Sequence, residues 1–420
     1  MNRPENDCFG GGGVDGALLS VDEVLRQLHS RVTQVAAIET VSLTAAVGRI
    51  LATDQKSILA VPPFDNSAVD GWAVFTDDLS PGETSRLPVG GRIAAGHILD
   101  HPAQPGRAYR IFTGAPLPAG PNAVLMQEDC REDGDFVILP ERPNPGANVR
   151  RAGESVAIGD VPLKAGTRLG PQHAGVAATI GLTTLPVRCP LRVALFSTGD
   201  ELRPPGQPLT PGTIHDANRV ILSGLLTGLG CQVTDLGILP DRLEAIRDAL
   251  SAIKSTHDLI VTSGGMSVGE EDHVKAAVTA LGRLHLWRVA LKPGKPIALG
   301  QVGGVPFLGL PGNPVSVLVS FLLFGRPLIA ALYGAAYAAP RRYPLPAAFT
   351  LAKTAGRREF ARARITDTPF GPTVDLLPSD SSGVLTSVTA ADGLIDLPES
   401  AITIQPGDPV SFLPLSELIP

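Results

Sequence analysis

Between Leu191 and Phe324 the chain alternates short apolar runs with stretches of helical spacing. "RVALFST" is followed by "ANRVILSGLLTGLG", "CQVTDLGIL" by "LEAIRDALSAI", and "DLIVTS" by "DHVKAAVTALG"; "LHLWRVAL", "PIALG", "PFLGL" and "PVSVLVSFLLF" continue the series. This alternation predicts a parallel sheet with helices on its faces. From Ser20 to about Leu51, a serine cap, acidic first-turn residues and the spacing of "SVDEVLRQL" and "TAAVGRILA" predict a helical opening segment. Short runs punctuated by Gly, Pro and Asp, such as "WAVF", "AYRIFTG" and "DFVILP", then predict a small β domain. "PQHAGVAATIG" at 171–181 opens on Pro and closes on Gly, the usual helix asymmetry. This helix is expected to pack on the first one, which makes the β domain an insertion. After about Tyr337 short strands return.

The expected division is a flexible lead-in at 1–16, a discontinuous helical domain at 17–52 and 146–187, an inserted β domain at 53–145, an α/β domain at 188–336 and a C-terminal β domain at 337–420. A chain of 420 residues has room for that many units, since single cores stop growing near roughly 250–300 residues.

Charge narrows the function classes. With 35 basic and 41 acidic residues the formal charge is −6, which argues against a nucleic-acid footprint spread over the surface. An anionic ligand must be met by local clusters. Cys8, Cys130, Cys189 and Cys231 are far apart and lack metal-ligand or disulfide-framework spacing, so a reducing cytoplasm is the expected compartment. The most membrane-like run, Val315 to Phe324, stops at Arg326 and Pro327 and reads as a buried helix, too short for the ~20 residues a span needs.

In open parallel sheets ligands bind beyond the carboxyl ends of the strands. Five segments are expected on that one rim: "STGDEL" with Asp200 and Glu201, Pro240 and Asp241, "SGGMSVGEED" at 263–272, "KPGKP" at 292–296, and "PGNPVS" at 311–316. Glycines between a strand and a helix turn backbone N–H groups toward an anion. The carboxylates of Glu270, Glu271 and Asp272 would repel that anion unless a cation lies between them, and a phosphate with Mg²⁺ satisfies both. The loop taken alone also reads as a glycine turn before a helix whose acidic first turn complements its dipole. Carboxylates at three strand ends, together with Lys292 and Lys295 on a proline-stiffened turn, favour the ligand reading.

"PPFDNSAVDGWAV" at 62–74 contains two polar turns, around Asp65 and around Asp70, and "TGAPLPAGPNAV" at 113–124 opens on Thr113. Each reads as turn chemistry on its own. His215 and His273 lack a partner at metal-ligand spacing, and Asp216 reads as a helix cap.

The order of "PPFDNSAVDGWAV", "FTGAPLPAGPNAVLMQED", "NVRRAGE", "FSTGDEL", "DANR", "SGGMSVGEEDHVK", "LKPGKP" and "LPGNPVS" resembles molybdopterin molybdenumtransferases of the MoeA type, also seen as the E domain of gephyrin. The resemblance covers nearly the whole chain from about residue 17. It implies a multidomain α/β plus β fold: a parallel α/β domain like that of the preceding adenylyltransferase (MogA-like), an inserted β domain, a helical segment and a C-terminal β-barrel-like domain. It also implies an enzyme of molybdenum cofactor biosynthesis. Such an enzyme binds adenylylated molybdopterin and molybdate, hydrolyses the adenylate with Mg²⁺, releases AMP and inserts the metal into the dithiolene.

By motif, Glu201, Asp241 and Asp272 resemble the acidic, metal-binding residues of the α/β site, and Asp65 and Thr113 those contributed across a homodimer. Ser263, Gly264, Gly265, Ser267, Lys292, Lys295, Pro311, Asn313, Pro314, Ser316, Arg362 and Ser382 resemble the residues that hold molybdate or the pterin phosphate. Implied partners are a second copy of the chain, the adenylyltransferase and recipient molybdoenzymes, with no nucleic acid and no membrane. Two positions depart from the pattern: Ser155 stands after "RRAGE" where the family often has Asp, and Arg288 where some relatives have Lys. Ser155 leaves open a noncatalytic molybdopterin carrier or scaffold. An adenylyltransferase sharing only the α/β domain is disfavoured by the β-domain motifs.

Overall fold

The computed structural model describes residues 18–265, 273–294 and 296–419, with Leu286 and Trp287 described by their backbone alone. Glu270, Glu271, Asp272, Ser267 and Lys295 therefore lie outside the described residues.

Six strands form the central sheet, in the spatial order Gln232–Leu239, Arg192–Thr198, Leu259–Ser263, Val305–Leu310, Pro296–Val302 and Gly282–Arg288. Alternation along the strands explains why both faces are covered. Val193, Leu195, Leu259, Val261 and Leu308 enter one core with Leu222, Leu225 and Leu226 of the helix Asn218–Gly228 and with the helical run that begins at Pro314. Ala194, Phe196, Ile260 and Phe307 enter the opposite core with the helices Leu243–Ile253 and His273–Leu281. A strand buried on both sides reads as a continuous apolar run, which is the texture of "RVALF".

The sheet is not wholly parallel, as the sequence pattern suggested. Pro296–Val302 runs antiparallel to Val305–Leu310, and Gly282–Arg288 antiparallel to Pro296–Val302. The cause is the two-residue turn at Gly303 and Gly304, with φ of +53° and +85°, which closes a tight hairpin that other residue types resist.

Three further expectations change. The opening helix ends at Arg31; "IETVS" becomes a strand, Ile38–Ser42, paired with Thr184–Arg188, and only Leu43–Ala46 is helical beyond it. Val21, Val24 and Leu28 pack into the first core of the central sheet, so the helix Pro171–Thr179 instead shares a small core with Ala46, Leu51 and Leu185. The apolar run read as short is a continuous 20-residue helix, Pro314–Tyr333, long and apolar enough to cross a bilayer, yet its apolar stretch is 83% buried inside the fold. A π-helical turn at Phe321–Gly325 carries it past Pro327, whose missing N–H and ring would otherwise break it.

Upstream, a six-stranded sheet from Gly71–Val74 to Phe136–Leu139 carries the β-domain motifs. Downstream, Arg358–Thr368, Gly393–Leu397, Pro409–Pro414 and Tyr343–Pro346 form another sheet, and Leu291–Lys292 adds to it as an edge strand paired with Arg358 and Glu359. The "LKPGKP" segment thus joins the central sheet to the C-terminal one. Buried Asp396 fixes that junction by accepting from both Arg342 and Arg358, while Arg358 also reaches Asp22 of the opening helix.

Candidate active site

The strand ends line up. Thr198 pairs with Leu239, Ser197 with Ser263, and Ser263 with Leu310. The turns that follow, at 199–201, 240–241, 264–265 and 311–313, therefore emerge on one edge of the sheet. "KPGKP" reaches the same edge because it precedes the antiparallel strand Pro296–Val302. The described parts of all five expected segments share this rim, "KPGKP" for a reason the sequence pattern did not contain. Along it the order is Asp241, Glu201, Gly264, Pro311 and Lys292.

At the acidic end, a cleft of about 330 Å³ is lined by Gly199, Asp200, Leu202, Arg203, Ile238, Leu239 and Pro240. The Glu201 carboxylate folds back over Gly199, where a Cβ would lie 2.6 Å from its Oε2. Asp241 Oδ1 is buried without a hydrogen-bond partner, an arrangement that costs free energy unless a donor or cation meets it. Hard carboxylate oxygens of this kind suit Mg²⁺. Among the described residues no group of three or more His, Cys, Asp or Glu side chains gathers as a metal site, and the unpartnered Asp241 Oδ1 is the atom at this end that fits such an ion.

The middle of the rim is tightly built. Gly264, at φ +89°, donates to the Leu310 carbonyl, and a Cβ there would meet the Thr198 carbonyl oxygen at 2.7 Å. Asn218 Nδ2 donates to Ser263 Oγ at 2.9 Å and to the Gly312 carbonyl at 2.6 Å, which locks two of the turns together. Nothing local in "DANR" marks Asn218 for this role, because its partners are remote in sequence. The N-cap of the helix Asn218–Gly228 is Ala217 and not Asp216, which stands one residue ahead of it and accepts from the Arg219 N–H at 3.2 Å.

At the other end Lys292 and Arg362 line a cavity of about 290 Å³ together with Lys353, Arg357, Glu359, Ser379 and Asp380. Lys292 Nζ lies 2.8 Å from Glu359 and 3.4 Å from Asp380, and the Glu359 hydrogen bond, followed by the attraction of both carboxylates, holds its pKa above the usual lysine value. Arg362 is 4% exposed. It donates to Ser387 Oγ at 3.1 Å and to the Ser379 and Ser381 carbonyls at 2.5 and 3.1 Å, all neutral acceptors. Burial pushes its pKa down. Asn313 Nδ2 donates to Ser382 Oγ at 2.9 Å, so two predicted anion-binding residues meet across the junction. Ser316 is buried under the Gly294 turn, with a Cβ on Gly294 placed 3.5 Å from Ser316 Cβ and 2.6 Å from Ser320 Oγ. Glu359 and Asp380 escaped the sequence reading, since nothing local marks them as partners of Lys292.

Asp65 and Thr113 lie apart from the rim's own residues, on the β domain. Asp65 accepts from the Ala152 N–H at 2.8 Å and from Arg151 at 2.6 Å, and these bonds, the backbone one first, hold its pKa below the usual carboxylate value. Thr113 is held by Asp70, whose Oδ1 accepts from both its N–H and its Oγ1 at 2.8 Å. Asp70 was read only as a turn residue; its spacing from Thr113 hides the pairing. Ser155 donates its N–H to the Val61 carbonyl, and its side chain is exposed.

Among the described residues every cysteine has its thiol pKa raised. Burial pushes the Cys231 thiol up to about 12 and the Cys130 thiol up to about 11, so neither is a ready thiolate.

Residues 19–181 match the MoeA N-terminal region (domain I and II), 194–331 a probable molybdopterin binding domain, and 344–415 the MoeA C-terminal region (domain IV). The molybdopterin molybdenumtransferase of Haemophilus influenzae is 41% identical over 348 residues, 82% of this chain and 85% of that one. The chain belongs to the molybdopterin molybdenumtransferase family. Molybdopterin molybdenumtransferase 2 of Mycobacterium tuberculosis is 38% identical over 88% of this chain and 93% of its own. The crystal structure of the molybdopterin biosynthesis MoeA protein from Pyrococcus horikoshii OT3 superposes with a TM-score of 0.82 at 27% identity, covering 95% of this chain and all 100% of that one. Membership makes the protein a transferase of molybdenum cofactor biosynthesis, and the multidomain α/β plus β architecture is the family's.

Proposed function

We propose that this transferase takes adenylylated molybdopterin and molybdate, hydrolyses the adenylate in a Mg²⁺-dependent step that releases AMP, and passes molybdenum to the dithiolene. One observation carries the reading: a single rim has carboxylates at one end, a glycine turn in the middle and a cationic cavity at the other. A substrate with phosphates and an incoming oxyanion needs both ends.

Glu201 and Asp241 would hold Mg²⁺, which when bound neutralises phosphate charge. Gly264 and Gly265, both at positive φ, allow close backbone approach between the two ends. Arg362 offers a guanidinium whose orientation is set beforehand by Ser387, Ser379 and Ser381, so little reorganisation accompanies oxyanion binding. Lys292 supplies a rotatable cation that exchanges Glu359 for the oxyanion. The raised thiols support positioning and electrostatics over a covalent nucleophile.

Asp65 and Thr113 serve the site from the second subunit of a homodimer in this reading; the exposed Phe64 beside Asp65 supports such a contact face. The adenylyltransferase and recipient molybdoenzymes are the expected partners, in the cytoplasm.

The test is incubation of purified protein with adenylylated molybdopterin, Mg²⁺ and molybdate, reading AMP release and recovery of activity by a cofactor-free molybdoenzyme. Both are expected. Pterin binding with neither would put a noncatalytic carrier in place of the enzyme.

A further inference from the structure

A cavity of about 140 Å³ lies where the segment around Arg168 meets the second half of the helix Pro314–Tyr333. Arg168, Arg326, Tyr333 and Tyr337 contribute its polar wall, and among the described residues lining it none is acidic. Arg326 Nη1 is buried with no hydrogen-bond partner. Arg168 is anchored to neutral acceptors, the Gly48 carbonyl at 2.7 Å and the Leu229 carbonyl at 3.1 Å. Arg326, half-buried, and Arg168, at the exposed side, thus border one partly open cavity with no counter-charge among its described lining residues.

That arrangement is costly as it stands. Arginine does not shed its proton in proteins, so the burial of Arg326 Nη1 cannot be relieved by neutralisation. Burial first, and then the like charge of Arg168, hold the Arg326 pKa below its usual value. Burial also keeps the Tyr337 hydroxyl protonated, leaving it able to donate. The volume equals the liquid share of roughly five waters at ~30 Å³ each, room for a tetrahedral ion. The helix starts on the rim at Pro314, so Arg326 lies twelve residues along it, about 18 Å from the rim at ~1.5 Å per residue.

We infer that this cavity binds a small tetrahedral oxyanion between Arg326 and Arg168, at a second site separate from the one on the rim. Molybdate and free phosphate share the required shape and charge. The bound ion joins the helix of the central core to the segment Gly166–Arg168, and so stiffens the seam between those two parts of the chain.

Crystals of the full chain soaked in tungstate, with anomalous diffraction recorded at the tungsten edge, test this directly. A peak within hydrogen-bond distance of Arg326 Nη1 is expected, lost in Arg326→Met while any peak beside Lys292 remains. Arg326→Lys should keep the peak with affinity about tenfold weaker, as one charge-assisted bond is replaced by a poorer one. Competing phosphate removes the peak if the site takes oxyanions generally, and competing molybdate alone removes it if the site is selective; either result supports the inference. Absence of tungsten from the wild-type cavity, or a peak that persists unchanged in Arg326→Met, overturns it.

Discussion

Lys292 and Glu359 sit side by side on paired strands, their side chains 2.8 Å apart, at the mouth of the cavity that also holds Arg362. The carboxylate keeps the lysine in place and competes with any oxyanion that approaches it. Glu359→Gln is therefore expected to tighten molybdate binding by up to about fivefold, the scale of a partly exposed ion pair. Equilibrium dialysis with molybdate checks this, and weaker binding in the variant would show that Glu359 positions Lys292 more than it competes.

Gly294→Ala should damage the same cavity by another route. The residue has φ of +102°, and a Cβ would lie 2.6 Å from Ser320 Oγ. Backbone strain and the clash together are expected to cost about 1–3 kcal/mol of stability. Denaturant titration reads the loss, and molybdate affinity should fall with it because the turn carries Lys292.

On the β domain, Asp65 links its loop to Arg151 and Ala152. Its folded pKa is depressed, so the stabilisation is complete above the ordinary carboxylate value of about 3.9 and is lost as pH falls through the lower folded value. Asp65→Asn should cost on the order of 1 kcal/mol at neutral pH, reduced by solvent screening, and should flatten this acid-side dependence. Thermal unfolding of both forms from pH 3 to 7 measures it.

Asp70 touches Thr113 twice and is expected to act as a positioning residue. Asp70→Ala should lower kcat about tenfold with little change in KM for molybdate, while Asp70→Asn, which keeps an acceptor, recovers part of the loss. Equal losses in both variants and in KM would point to general disruption of the loop.

Much of this was legible in the sequence because local rules governed it. Strands buried on both faces read as "RVALF" and "LIVTS", and glycine turns after them located the rim. The antiparallel hairpin was missed although Gly303 and Gly304 signalled it, because the helix-strand alternation around it dominated the reading. The opening segment misled for a related reason: the apolar spacing of "TAAVGRILA" fits a helix, yet it is helical only as far as Ala46, and the preceding Ile38–Ser42 pairs with Thr184–Arg188, which lies far along the chain. Asp70, Asn218, Glu359 and Asp380 were overlooked as partners because each acts on a residue distant in sequence. Only the folded chain brings such pairs together.

The central claim is that the two ends of the rim do separate work, and steady-state AMP release as a function of Mg²⁺ and of molybdate tests it most directly. Asp241→Asn should raise the Mg²⁺ concentration required by about 10–100-fold and leave the molybdate requirement nearly unchanged. Arg362→Met should raise the molybdate requirement at least about tenfold and leave the Mg²⁺ requirement unchanged. If both variants shifted the same requirement, or neither shifted its own, the division of the rim into a metal-holding end and an oxyanion-holding end would be wrong.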